Sequence, residues 1–287
     1  MSCISDLTFD LSVPSLFVHF RTPLIVSCAL RLILVLIVLS PWPAYASEIR
    51  LAVASNFTAV AKTLKLEFEK QSEHTISLSF ASTGKLYAQI KNGAPFDVFL
   101  AADTERPELL EREGFVVADN RFTYALGQLV LWSSSQEGID LETLSQADFR
   151  NLAIANPKLA PYGRAAEQVL RTLDLNEQLQ DRLVFAENVA QAFAFIHTGN
   201  ADLGFIAKSQ LLGEAFDVKD TVEVQDKAQV KGNVLAGSFW QVPQNYHEPI
   251  EQQAILLSKK TAAAEFLLFL MNDKARTIIA NAGFNLP

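Results

Sequence analysis

Apolar positions along this chain alternate between two spacings, and that alternation predicts its architecture. Ile49 to Ala54 is an apolar run of strand length. From Thr58 the spacing lengthens, and Val60, Ala61, Leu64 and Phe68 mark one side of a helix ending near Gln71. Thr75 to Phe80 alternates as a strand. Leu86 and Ile90 belong to a second helix, stopped at Asn92-Gly93. Val98 to Leu100 reads as a buried strand, and Pro107 to Arg112 as a helix closed by Gly114. Strands alternating with helices in this way predict a mostly parallel sheet covered by helices.

Phe122 to Trp132 is a long β-prone run interrupted by Gly127, after which the rhythm restarts. Strands are expected at Leu152–Ala155, Leu183–Phe185 and Leu203–Ile206, with helices at Arg164–Leu173, Val189–Ile196 and Lys208–Ala215. A looser segment follows through Gln241-Val242-Pro243. Ile250 to Leu257 then reads as another strand, and helices around Thr261–Met271 and Lys274–Ala280 close the chain. Two similar halves and a late return predict an α/β protein of two lobes joined by crossing strands. The expected division is 47–126 for the first lobe, 127–245 for the second, and 246–287 for the return to the first.

Four short turns stand where a strand-like run gives way to a helix. They are Ala54-Ser55-Asn56-Phe57, Ala81-Ser82-Thr83-Gly84, Ala160-Pro161-Tyr162-Gly163 and Glu187-Asn188-Val189-Ala190. A helix start leaves backbone N–H groups unpaired and carries partial positive charge, so it attracts anions. Hydroxyls and an amide, with no metal ligands, suit a small desolvated oxyanion. In open α/β sheets ligands bind beyond the carboxyl ends of the strands, where these turns lie.

The first 46 residues follow a different pattern. Arg21 and Arg31 accompany an apolar stretch from Leu32 to Leu39, and Ala44-Tyr45-Ala46 follows. This is the layout of a secretory signal peptide, with cleavage expected after Ala46. The apolar run is shorter than the roughly 20 residues of a membrane-spanning helix. Asp6 and Asp10 with no Lys or Arg over the first 20 residues suit a signal poorly, which points to a start codon assigned too early. Both cysteines, Cys3 and Cys28, lie in this leader, so the mature chain is expected to contain none. Cys28 precedes the apolar core, an order that does not fit lipidation.

With 287 residues, 49% of them hydrophobic, the chain can bury a substantial core. A net charge of −8 and the lack of any Lys/Arg run argue against nucleic acid as partner.

Each motif also has a plainer reading. Ser55 and Asn56 are favoured helix caps, and Tyr162 can be a packing residue in its turn. Ser82-Thr83-Gly84-Lys85 lacks the first glycine and the final Ser/Thr of a nucleotide loop, with Ser79 and Leu86 in those places. Val189 can act only through its backbone N–H. No G-x-S-x-G elbow or H-E-x-x-H spacing is present, and His74, His197 and His247 sit in none of the turns. Asp97 and Asp103 read as solvated or capping carboxylates.

The ordered set Ala52-Val53-Ala54-Ser55-Asn56-Phe57, Phe80-Ala81-Ser82-Thr83-Gly84, Tyr87-Ala88-Gln89-Ile90 and Asn92-Gly93-Ala94-Pro95 resembles the periplasmic molybdate-binding proteins of ABC importers. Ala101-Ala102-Asp103, Arg121-Phe122-Thr123-Tyr124, Ile154-Ala155-Asn156-Pro157, Ala160-Pro161-Tyr162-Gly163 and Ala201-Asp202-Leu203-Gly204-Phe205 extend the resemblance over 48–287. It implies the two-lobed type II periplasmic binding protein fold, a molybdate or tungstate ligand held without charged side chains, no catalysis and no cofactor. It also implies a membrane permease as partner and periplasmic location, with the protein a monomer. Carried onto this sequence, the ligand positions are Ser55 with Asn56, Thr83, Tyr162 and the backbone of Val189, with Ser82 adjacent. Some members place a ligand tyrosine where this chain has Ala207; here Tyr162 supplies that phenol, as in a Pro-Tyr-Gly branch. The competing readings are an extracytoplasmic hydrolase or phosphatase using Ser55, and a binder of another tetrahedral oxyanion such as sulfate.

Overall fold

The computed structural model describes residues 46–117, 120–217 and 237–287, so the expected leader, apart from Ala46, lies outside the described residues. Five strands form the first sheet in the order β2 (Thr75–Ala81), β1 (Glu48–Ala54), β3 (Val98–Leu100), β10 (Ile250–Leu256), β4 (Phe122–Gly127). The second sheet runs β7 (Leu183–Ala186), β6 (Leu152–Ala155), β8 (Leu203–Ala207), β5 (Leu129–Ser133), β9 (Ser238–Gln241). Each has a parallel core with antiparallel strands completing it. The expected two-lobed α/β fold is present.

Helices cover both faces of the first sheet. On one face α1 (Thr58–Glu69), α9 (Thr261–Leu270) and α10 (Asp273–Asn281) bury Val60, Leu64, Phe68, Phe266 and Ile279 against Leu51 and Val53. The other face carries α2 (Thr83–Lys91) and α3 (Glu105–Arg112), which close over Ala52 and Phe99 through Leu86, Ile90 and Leu110. In the second lobe α4 (Leu141–Gln146), α5 (Pro161–Thr172), α6 (Asn176–Leu179), α7 (Val189–His197) and α8 (Lys208–Asp217) surround a core that includes Trp132, stacked on Phe193 at 5.1 Å between ring centres. Truncating a fully buried leucine such as Leu64 would cost about 2–5 kcal/mol.

Strand register places the turns. β1 and β2 run parallel with Ala54 opposite Ala81, so Ser55 and Ser82 leave the sheet side by side. β6 and β7 are parallel with Ala155 opposite Ala186, so the chains leading to Pro161 and Val189 depart from a common edge in the second lobe. At α5 a Cβ on Gly163 would overlap the Ala155 carbonyl, so only glycine lets this helix start so close to the strand.

The long β run divides where Gly127 interrupts it. β4 belongs to the first sheet, β5 to the second, and Gln128 links them. Three elements differ from the sequence reading: the short helix α6, α4 and β9. α4 starts at a capping box in which Asp140 accepts from the Thr143 N–H at 2.9 Å. β9 lies in the segment read as loose and pairs antiparallel with β5.

Of the two carboxylates read as solvated or capping, Asp103 caps and neither is solvated. Asp97 and Asp103 are 3% and 8% exposed, not solvated. Asp97 accepts from the Arg50 N–H at 2.8 Å and from Lys260 Nζ at 2.9 Å. Asp103 accepts from the Arg106 N–H at 3.1 Å, as a capping residue does, and pairs with the Arg106 guanidinium. Their cationic partners offset the cost of burial, and Lys260 is too distant in sequence for spacing to reveal.

Candidate functional site

Capping was the plainer explanation for the serines, and the structure separates it from the alternative. Asn188 does cap, its Oδ1 accepting from the Gln191 N–H at 3.0 Å. Ser55 and Ser82 stand at helix starts without making a capping bond. Ser82 is 2% exposed, and its hydroxyl is buried with no hydrogen-bond partner. An orphaned hydroxyl costs about 1–3 kcal/mol, so it needs an explanation.

Its neighbours are arranged to donate. Thr83 Oγ1 accepts from the Ala102 N–H at 3.2 Å, which leaves its own proton free for another acceptor. Asn56 Nδ2 donates to Gln252 Oε1 at 3.0 Å and also bonds the Tyr162 phenol oxygen. The carbonyl of Asn56 is held across the lobes by Ser209 Oγ at 2.9 Å. Tyr162 is 2% exposed, and Gln252 Nε2 donates to its oxygen at 3.4 Å. Burial pushes the Tyr162 phenol well above its ordinary range, while bonds from Asn56 and Gln252 pull it partly back, so it stays a neutral donor.

The four turns converge through shared contacts. α7 packs against the Ser55–Phe57 turn. Ala54 and Ala102, from the first lobe, lie in the same buried cluster as Tyr162 and Val189. Thr83 joins that group through Ala102. Val189 opens α7, so its N–H is among those that a helix leaves without an internal partner. Ala207, the alternative tyrosine position, ends β8 as a fully buried residue. Gln252 and Tyr124, absent from the sequence-derived set, also belong here: the Tyr124 hydroxyl donates to Gln252 Oε1 at 3.1 Å.

The lobes meet around this point. The Gly84 N–H donates to the Leu159 carbonyl at 2.9 Å, and Arg106 Nη2 to that of Lys158 at 3.1 Å. Lys85 pairs with Glu187, and Arg164 with Glu105, each at 2.8 Å. A cleft of about 200 Å³ beside the site is lined by Asp103, Glu105, Pro161, Arg164, Gln168 and Glu251 among others. Ser55, Asn56, Thr83, Tyr162 and Val189 do not line it, and its acidic wall suits an anion poorly. Burial pushes the Asp103 carboxyl up there, against the pull of the Arg106 guanidinium.

Catalytic groups are not assembled at the turns. His74 bonds Glu265 at 3.2 Å, His247 bonds the Glu248 carbonyl at 2.7 Å, and His197 stacks on Phe193. Among the described residues no group of three or more His, Cys, Asp or Glu side chains is placed to hold a metal ion.

Comparison with known proteins gives the family. Residues 49–285 match the family model described as bacterial extracellular solute-binding protein. The chain is 45% identical to the molybdate-binding protein ModA of Azotobacter vinelandii over 248 residues, spanning 85% of this chain and 92% of that protein. It is 39% identical to ModA of Rhodobacter capsulatus, spanning 84% and 90%. The solved structure of the Azotobacter vinelandii periplasmic molybdate-binding protein superimposes with a TM-score of 0.74 at 39% identity, covering 83% of this chain and 99% of that one. This chain therefore belongs to the bacterial extracellular solute-binding proteins and, within them, to the molybdate-binding family.

Proposed function

We propose that the protein captures molybdate, and tungstate with it, in the periplasm and delivers it to the membrane permease of an ABC importer. The observation that carries this reading is the Ser82 hydroxyl, buried and unpartnered at a helix start, beside a Thr83 hydroxyl whose proton is free. Together with Ser55, Asn56, Tyr162 and the Val189 N–H it makes a set of neutral donors with no cation and no metal. Hydrogen bonds to a charged acceptor contribute about 1.5–3 kcal/mol each, so several offset the dehydration of a dianion. Neutral donors also leave no unpaired charge buried when the ligand departs.

The protein is read as a binder rather than an enzyme, with molybdenum held only as its oxyanion and no cofactor. The lobes are read as 47–126 with 246–287, and 127–245, a division supported by the split of the strands between two sheets, although β4 of the first sheet extends to Gly127. A monomer suffices, because both lobes of one chain supply donors. Residues 1–46 act as a signal peptide, so N-terminal sequencing of exported protein should begin at Ser47. A lipid-modified Cys28 at the mature terminus would contradict that.

The test is a melting-temperature series with added anions, since a ligand that binds only the folded state stabilises it. Molybdate and tungstate should raise the transition at concentrations where sulfate and phosphate do not. Equal shifts from sulfate would show the ligand to be a different oxyanion.

A further inference from the structure

Gln252 lies on β10, the strand that returns to the first lobe, and is 0% exposed. Its register to β4 is irregular: Gln252 faces Ala125 and Gln253 faces Thr123, so Tyr124 is the extra residue of a bulge. A bulge re-aims side chains, and this one accompanies divergent paths for the two glutamines. Gln253 bonds Arg121 at 2.8 Å and Thr123 at 3.3 Å. Gln252 instead reaches Asn56, Tyr124 and Tyr162.

The Tyr162 oxygen is the point on which that cluster converges. Gln252 Oε1 receives the Asn56 amide at 3.0 Å and lies 3.1 Å from the Tyr124 hydroxyl, whose single proton it shares with the Ala101 carbonyl at 3.3 Å. Gln252 Nε2 donates to the Tyr162 oxygen. Asn56 bonds the same oxygen, so the phenol oxygen is occupied as an acceptor and its proton is directed to the ligand. The Asn56 amide is held with its nitrogen, not its oxygen, on this side.

We propose that Gln252 is a positioning residue that, with Asn56, holds the Tyr162 phenol as a donor only, and so sets the selectivity of the site for a fully deprotonated oxyanion. This rests on the oxyanion-binding function argued above. A ligand that carries a proton, such as hydrogen phosphate, needs an acceptor, and Gln252 occupies the phenol oxygen that could serve. Removing it lets the phenol rotate and accept.

The experiment is a double-mutant cycle by calorimetry with molybdate and inorganic phosphate, using the parent, Gln252→Met, Tyr162→Phe and the double variant. Gln252→Met should weaken molybdate roughly tenfold, the scale of one hydrogen bond, and narrow the molybdate-to-phosphate preference. Its effect should be smaller in the Tyr162→Phe background, because the phenol it orients is gone. Multiplicative losses with an unchanged preference would reduce Gln252 to packing and overturn the proposal, as would parental behaviour of Gln252→Met. If Gln252→Met does not fold, Gly127→Ala separates phenol and amide from another direction and carries the same expectations. If the parent prefers another tetrahedral oxyanion, molybdate is the wrong ligand, and the cycle run with that anion decides the role of Gln252 independently.

Discussion

The hydroxyl of Tyr162 fills the space that a side chain at residue 127 would need. A Cβ on Gly127 would overlap the phenol oxygen and lie 3.0 Å from Gln252 Nε2. Gly127 also ends β4 where the chain leaves the first sheet, so one small residue serves both the crossing and the site. Gly127→Ala should displace the phenol and weaken molybdate at least tenfold, the scale of one charge-assisted bond, while the protein stays folded. Calorimetry together with circular dichroism checks this, and parental affinity would show that Tyr162 does not touch the ligand.

Ser82→Ala separates a ligand group from a structural one by the sign of its effects. The hydroxyl is buried and unpartnered without ligand, so its removal should leave the apo protein as stable as the parent, or more stable by up to about 1–3 kcal/mol. Molybdate affinity should fall roughly tenfold for one lost donor. Denaturant melts with and without molybdate measure both quantities. A destabilised apo form with unchanged affinity would assign Ser82 to the scaffold.

Tyr162→Phe keeps the ring and deletes one donor. The expected loss is about 1.5–3 kcal/mol, or ten- to a hundredfold in affinity. Because burial holds the phenol protonated well above its ordinary range, the parent's affinity should not fall as pH rises from about 7 to 10. A decline centred near the ordinary tyrosine value would mean that the phenol is open to solvent.

Asp97 supplies a pH signature of stability. Burial raises its carboxyl, but the Arg50 N–H, Lys260 and Ser258 outweigh burial and hold it below the ordinary aspartate range. A depressed folded-state value favours the folded protein above the unfolded-state value, and that contribution is lost as pH falls through the folded one. Asp97→Asn should therefore be less stable than the parent at neutral pH, by about 1.5–3 kcal/mol for a hydrogen bond to a charged group. The gap should close in acid. A gap that persists unchanged at low pH would rule out the charge as its source.

The repeating elements were legible because their apolar spacing is regular, as in α1 with Val60, Ala61, Leu64 and Phe68. The four turns were legible because helix starts have a recognisable chemistry. β9 was not: four residues over Ser238–Gln241, only partly buried, give too short a pattern. Gln252 was not legible either, since a glutamine in an apolar strand shows nothing of Asn56, 196 positions away. Asp97 was misread for the same reason, its partner Lys260 lying 163 positions on. Ser82 was named only as a neighbour of Thr83, because both are hydroxyls, and only the structure shows which one lacks a partner.

The central claim is that neutral donors from both lobes select a fully deprotonated tetrahedral dianion of molybdate size. Calorimetric titration of the mature protein with molybdate, tungstate, sulfate and phosphate, repeated in buffers of different ionisation enthalpy, tests it most directly. The account predicts one site per chain, tight binding of molybdate and tungstate, weaker sulfate, very weak phosphate, and no buffer dependence, because no proton is taken up or released. Sulfate or phosphate binding as tightly as molybdate, or heat that scales with buffer ionisation at neutral pH, would contradict it.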